Sequence, residues 1–364
     1  MKGKKEKLRK LEKAGKGNWC PNPQSPVPNP QSLLIFLLLP FYFLLLGAAD
    51  LNQQLDIRIN NGTQGELRNE ADRLVRLGGQ ARQQGNLDKA IPYWSQALII
   101  YHRIGDIQSV GRIYDFLGLA YAELGDYQRA EDALRRRLGV ARDNKDWQGQ
   151  IFGLNNVGTV LLRRGSLSAA QTTFEEALAI ARSVNNAAGI GLSLNNLGLV
   201  ASGYGDRNRA IKLYEEAVIY RSRAGDPIGQ ANTFNNLGDA YRAVNSFKDT
   251  IRAYGAALGI AKEAREGPNQ FRAIDGLVLT YCSARQYTRA IELLQQRIAS
   301  AQDAADPRQE LISLRSLAQL YQQIGKYSDA RSVYHRAIAL ARTLKDTKAE
   351  ATLLSQVLEI MRDR

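Results

Sequence analysis

Sulfur and imidazole are scarce in this chain, whose 364 residues include two cysteines, two histidines and two methionines. Cys20 and Cys282 lie far apart and in different kinds of segment, so neither a disulfide framework nor a zinc site can be written from them. His102 and His335 each stand alone in a helical pattern, without a second ligand three or four residues away, and read as surface or packing residues. Phosphate and dinucleotide loops are missing as well. Gly189-Ile190-Gly191 begins a G-x-G, but no third glycine follows in place and no strand precedes it, and Gly325-Lys326-Tyr327 belongs to a turn rather than to a phosphate-binding loop. No residue set offers a nucleophile with a base and an orienting partner. The expectation is a protein that is not an enzyme and needs no cofactor or metal.

Concentrated positive charge is also lacking over most of the chain, despite a formal net charge of +13. Residues 1–32 hold eight Lys or Arg against two Glu, and the remaining +7 is spread over the rest. A nucleic-acid groove needs Lys and Arg gathered on one face, so no nucleic-acid partner is expected. The run Arg135-Arg136-Arg137 reads first as helix-surface charge, and Glu175-Glu176 and Glu215-Glu216 as a solvated helix face.

The start of the chain is an address. Residues 1–32 are basic and then Pro-rich, with PNPQS appearing twice, and form a tail that cannot build a core. Residues 33–49 are apolar, from "LLIFLLLPFYFLLL" to Gly47, Ala48 and Ala49. That length lies between a signal-peptide core of about 7 to 15 residues and a spanning helix of about 20. Small residues at Gly47 and Ala49 suit cleavage after Ala49, whereas the long basic region suits an uncleaved anchor; a start placed too far upstream is a third reading. Either membrane reading leaves the tail on the cytoplasmic side and sends the following residues across. The mature part would be secreted, periplasmic or lumenal if cleaved, and anchored on the far side if not. Asn61-Gly62-Thr63 is a glycosylation sequon only in a host with a eukaryotic secretory pathway.

Residues 50–65 read as a linker, and from residue 66 the chain repeats every forty residues without insertion. Gly85, Gly125, Gly165, Gly205, Asn245, Arg285 and Gly325 share one column, where a left-handed residue turns one helix into the next. Asp126, Ser166, Asp206 and Ser246 follow as helix caps, and Asp106, Asp146, Asn186, Asp226, Asp306 and Asp346 mark the other helix start. Small residues such as Ala210, with a large one such as Tyr214 four positions on, fit one helix against another. Each unit is thus an antiparallel pair of helices of about 16 to 18 residues. One pair cannot bury both its faces, so the fold class is all-α, an α-solenoid of seven pairs over 66–345 with a capping helix at 346–364.

These columns resemble the tetratricopeptide repeat. Leu197, Gly198, Ala210, Tyr214 and Ala217 stand where that motif places Leu, Gly, Ala, an aromatic and Ala, and "GDYQRAEDAL" at 125–134 is similar to its central turn. The forty-residue period exceeds the usual 34 and resembles the long-helix subclass of kinesin light chains and Pins-type modulators. The resemblance implies a right-handed superhelix with first helices on the concave side. Departures are Val278 and Ala318 at the glycine, Arg137 and Arg297 at the second alanine, and Arg285 in the turn, with looser packing expected around repeats two and six.

Three units carry paired asparagines, "LNNVG" at 154–158, "LNNLG" at 194–198 and "FNNLG" at 234–238. Asn195 lies about 200° round the helix from Leu197, which is expected to point it away from the core. By the resemblance, Asn155, Asn195 and Asn235 would form a peptide-gripping ladder along the groove, continued by Asp115 and Asp275 and ending at Arg315, with Leu192 and Leu199 touching ligand side chains. Asn156, Asn196 and Asn236 are expected first as hydrogen-bonding residues between helices. The function this implies is an adaptor that binds an extended peptide or helix of another protein. The alternative is a membrane-associated assembly factor or scaffold using its convex surface, for which Arg135 to Arg137 would matter more.

Overall fold

A computed structural model describes residues 65–362. They form helices throughout: α1 (Glu66–Gln83), α2 (Leu87–Arg103), α3 (Ile107–Glu123), α4 (Tyr127–Asp143), α5 (Trp147–Arg163), α6 (Leu167–Ser183), α7 (Ala187–Gly203) and α8 (Arg207–Arg223), then α9 (Pro227–Ala243), α10 (Phe247–Glu263), α11 (Gly267–Ser283), α12 (Tyr287–Asp303), α13 (Pro307–Gln323), α14 (Tyr327–Thr343) and α15 (Thr347–Arg362). No strand occurs among the described residues. The all-α solenoid expected from the sequence is the fold observed.

Its regularity comes from one link used throughout. After α7, Tyr204, Gly205 and Asp206 turn the chain: the Asp206 amide donates to the Ala201 carbonyl at 2.9 Å and the Gly205 amide to that of Ser202 at 3.0 Å. This doubled bond satisfies carbonyls that a helix end leaves open. Asp206 then accepts from the Arg209 amide at 3.1 Å, capping α8. The same bonds recur between repeats as well as within them, as at Asp226 and Asp306. The structure therefore steps every twenty residues, half the period of the sequence.

The link requires positive φ at its middle residue. Glycine meets that at Gly205, whereas Lys145, Asn185, Asn245, Arg265, Arg285, Ala305 and Lys345 adopt φ of 50 to 59° without it. Two expected caps differ: Ser166 and Ser246 accept no backbone amide, and Ser246 donates to Asp249 Oδ2 at 2.7 Å instead. Glu266 supplies a cap where the aspartate column lapses, accepting from the Asn269 amide at 2.8 Å.

Odd-numbered helices are the first of each pair, even-numbered the second. In pairs one, three, four and five a ring of the second helix lies on a glycine of the first. A Cβ on Gly198 would sit 2.4 Å from Tyr214 Cε1, and one on Gly158 2.4 Å from Phe174 Cε1. Those distances are well inside van der Waals contact, so the glycine of each "NNLG" is there to admit the next helix. Tyr254 is held from both sides, since a Cβ on Gly276 of the following repeat would lie 2.3 Å from its Cζ. Consecutive first helices α5, α7, α9 and α11 also touch one another directly, forming a continuous seam.

Candidate functional site

That seam decides where the asparagines go. Asn155, Asn195 and Asn235 are 0, 1 and 0% exposed, so the expectation that this column points away from the core is corrected. A single helix wheel puts Asn195 opposite Leu197, but the opposite side is covered by the first helices of the flanking repeats. Leu192, expected at a ligand, is buried for the same reason, while Leu199 remains half-exposed.

The amides bond to one another across the seam. Asn196 Nδ2 donates to Asn155 Oδ1 at 3.0 Å, Asn236 Nδ2 to Asn195 Oδ1 at 2.8 Å, and Arg272 Nη2 to Asn236 Oδ1 at 2.7 Å. Asn155 Nδ2 also donates to the Ile151 carbonyl and to Ser193 Oγ, at 2.8 and 2.9 Å, and Asn235 Nδ2 to the Asn269 carbonyl at 3.1 Å. Buried amides must find such partners, because each one left open costs about 1–3 kcal/mol. The middle pair uses both its asparagines, Asn195 accepting from the next repeat and Asn196 donating to the previous, whereas at the first pair Asn156 Oδ1 is buried without a partner. The rungs join residues 41 apart, and the residue 41 beyond Asn235 is Gly276. The ladder stops there, and Asn235 Oδ1 is left buried without a partner.

Asp115 and Asp275 bracket the amides with charge. Asp115 Oδ2 accepts from Arg137 Nε at 2.9 Å, and Asp275 Oδ1 lies 2.9 Å from Arg297 Nε. In the repeats between them, the arginine column holds Ala177, Ala217 and Ala257 and the aspartate column holds the asparagines. The looser packing expected around Arg137 and Arg297 is corrected by this pairing. Arg297 is buried, lies 4.8 Å from the Phe271 ring centroid and also bonds the Gln309 carbonyl. Gly111 and Gly149 make room for Arg137, since a Cβ on either would come within 3.3 or 2.9 Å of its side chain. Burial pushes the Asp115 carboxyl up to about 6, against the pull of Arg137, and raises that of Asp275 in the same direction. Arg315, at the end of the column, is half-buried.

Groups on the first helices that do meet solvent flank this floor: Phe152, Leu199, Asn232, Asp239 and Leu279 are half-exposed. Asp239 belongs to a cluster missed in the sequence, accepting from Arg272 Nη2 at 2.7 Å and from the Tyr254 hydroxyl at 2.5 Å. A signal for it existed, since Arg272 and Asn232 occupy one column and Asp239 and Leu199 another.

Elsewhere the arginine run is neutralised internally: Arg135 pairs with Glu131 at 2.8 Å, Arg136 with Asp132 at 2.9 Å and Arg137 with Asp115. Glu176 and Glu216 receive Arg142 and Arg182 of the preceding repeat at 2.7 and 3.1 Å. Burial pushes the Cys282 thiol up to about 11, which leaves it a poor nucleophile. Among the described residues no group of His, Cys, Asp or Glu is placed to hold a metal ion, and no helix is long and apolar enough to cross a membrane. The apolar stretch 33–49 lies outside the described residues.

Comparison with known proteins bears on the fold. Models of the tetratricopeptide repeat match residues 70–143 and 151–218, and a second model of that repeat matches 273–308 and 313–348. A comparison with curated proteins returned no match. Among solved structures, the apo form of RapI is 14% identical with a TM-score of 0.53, over 76% of this chain and 99% of that one. A signal transduction ATPase with a tetratricopeptide repeat sensor from Pyrococcus horikoshii is 16% identical with a TM-score of 0.55, over 78% and 44%. Aspartyl phosphate phosphatase F from Bacillus subtilis is 11% identical with a TM-score of 0.54, over 80% and 70%. At these identities the likeness is one of fold.

Proposed function

Because the chain belongs to the tetratricopeptide repeat family and is to that extent a scaffold for protein–protein interaction, we propose that it is a non-enzymatic adaptor holding an extended segment of another protein along its first-helix face. The buried asparagine ladder fixes the spacing of the repeats, and ligand contact falls to the half-exposed groups above it. The observation that carries this reading is their arrangement: Phe152, Leu199 and Leu279 offer apolar contact, and Asn232 offers an amide, over a floor whose polar groups are largely satisfied. An amide can both donate to and accept from a peptide backbone whatever the ligand sequence. Asp115 and Asp275 close the floor at either end, each in an ion pair with an arginine of the second helix. The proposal includes delivery to or across a membrane by residues 33–49.

The test is selection of binding peptides from a displayed random library against the full chain. Leu199→Glu should weaken selected peptides at least about tenfold, with helical circular dichroism preserved. Arg136→Glu, on the outer side of a second helix, should leave them unchanged. Loss with Arg136→Glu and retention with Leu199→Glu would favour the convex-surface scaffold and overturn the reading.

A further inference from the structure

The turns of the stack form two edges, and the edges carry different side chains. Turns within a pair, such as Gly205 between α7 and α8, lie at one edge, and turns between pairs, such as Gly225 between α8 and α9, at the other. Both kinds share one backbone link, so their residues can be compared place by place. In repeats four to seven the stretches around the within-pair turns, 200–211, 240–251, 280–291 and 320–331, hold eight Lys or Arg against three Asp or Glu. The equivalent stretches at the other edge, 220–231, 260–271, 300–311 and 340–351, hold eight against eight. Folding thus gathers along one edge a positive charge that is dispersed in the sequence.

Arg209, Arg242 and Arg289 of that edge have carboxylates at 3.9, 3.6 and 3.1 Å. Arg207, Lys248, Arg285 and Lys326, one at each turn, are exposed and make no ion pair among the described residues. Two of these four displace residues that the turn prefers. Arg285 stands in the glycine column at φ 58°, and Lys326 stands in the cap column, where it accepts no backbone amide. A left-handed arginine and a missing cap each weaken the local structure, which points to a use for these cations outside the fold.

Apolar side chains are interleaved with the charges. Tyr204, Val244 and Phe247 are 53, 38 and 39% exposed, and Tyr287 and Tyr327 are half-exposed. The same places at the other edge hold Ala224, Ala264, Gly267, Pro307 and Thr347. Rings beside cations suit the boundary of an anionic bilayer, where the ring sits at headgroup depth and the cation meets phosphate. The placement of the four free cations favours a fluid surface over an acidic protein segment. They share no column: Arg207 is the first residue of α8, Lys248 the second of α10, Arg285 a turn residue and Lys326 a cap. A bound segment is read at fixed steps, whereas a lipid surface needs charge and rings without register.

We infer that the within-pair turns of repeats four to seven form an edge that lies on anionic lipid. This contact is separate from the first-helix face and does not depend on what that face binds.

The test places an environment-sensitive dye on either edge of the full chain, at Ala284→Cys or at Ala304→Cys, with Cys20→Ser and Cys282→Ser removing the native thiols. Both alanines are exposed and precede a left-handed turn residue. Vesicles of phosphatidylcholine with about one-third phosphatidylglycerol should shift the emission at 284 to the blue and bring it within reach of quenching by nitroxide-bearing lipid, while the emission at 304 stays unchanged. Phosphatidylcholine alone should give no shift. Combining Arg207→Gln, Lys248→Gln, Arg285→Gly and Lys326→Asp, the last two restoring the residues of their columns, should abolish the shift at 284 with helical circular dichroism retained. Residues 1–49 are present in every chain, so any contribution from them is common to all. Equal shifts at both edges, no shift at either, or a shift that survives the four substitutions would overturn the proposal. So would a shift at 284 produced by polyglutamate and not by vesicles, since the occupant would then be an acidic protein segment.

Discussion

Asp115 and Arg137 meet at 2.9 Å between α3 and α4, and four repeats later Asp275 and Arg297 meet at the same distance between α11 and α12. Between these pairs, each hairpin replaces the ions by asparagine and alanine at the same two positions, as at Asn195 and Ala217. The two columns change together because an arginine in the second helix needs a carboxylate opposite it, and an alanine does not.

The exchange can be made by mutation. Arg137→Ala alone should lose about 1–3 kcal/mol by leaving the enclosed Asp115 carboxyl without its partner, and Asp115→Asn, which removes a carboxylate that burial disfavours, should lose less. The double variant recreates the middle rungs and should recover at least half of the summed loss. Urea denaturation of the four proteins gives the coupling energy.

Acidity offers a second handle on the same rung. The folded carboxyl of Asp115, pushed up to about 6 from an ordinary 3.8, binds its proton more tightly than in the unfolded chain. Its contribution to stability is therefore fully present below the unfolded value and is lost as pH rises through about 6. Asp115→Asn should remove that part of the pH dependence. Denaturation midpoints of wild type and variant, compared from about pH 4 to about pH 7, should diverge in slope; parallel curves would show that Asp115 does not titrate there.

Asn195 is in the middle of the ladder, and its removal reaches two repeats. Asn195→Leu leaves Asn236 Nδ2 without its bond at 2.8 Å and Asn196 Oδ1 without its bond at 3.3 Å. A loss of about 2–4 kcal/mol is expected from those two buried groups. Amide hydrogen exchange should speed up in α7 and α9 and change little in α1 and α2. Unchanged stability would mean that the ladder adds nothing to folding.

Glycines in the same fold should respond in opposite directions. Gly198→Ala drives a methyl into Tyr214 and should cost about 1–3 kcal/mol. Gly255 in α10 has nothing within 4 Å of the place a Cβ would take. Gly255→Ala should stabilise by about 0.5–1 kcal/mol through helix propensity. Thermal melts of the two variants separate packing from propensity.

The hairpins were legible in the sequence because caps and turn residues act locally, and their columns survive without any knowledge of neighbours. Lys145 and Ala305 were not legible as left-handed residues. Nothing in a lysine or an alanine asks for that conformation, which the shared link imposes. The asparagines were misplaced for a related reason: a wheel drawn for α7 knows its own hairpin, but the amides of Asn195 and Asn196 are claimed by α5 and α9. The arginines at 137 and 297 were measured against the alanine of their own column, whereas the explanation stood in the column 22 residues earlier.

Taken as a spring, the stack does not have equal coils. Pulled from its two ends, the turns around α5, α7 and α9 must break amide bonds running along the axis before they can lengthen, and the outer turns must break bonds made by arginines, from Arg68 to Asp106 in the first and from Arg297 to the Gln309 carbonyl in the last. A partner lying across repeats three to five therefore rests on turns joined by uncharged amides, which do not titrate.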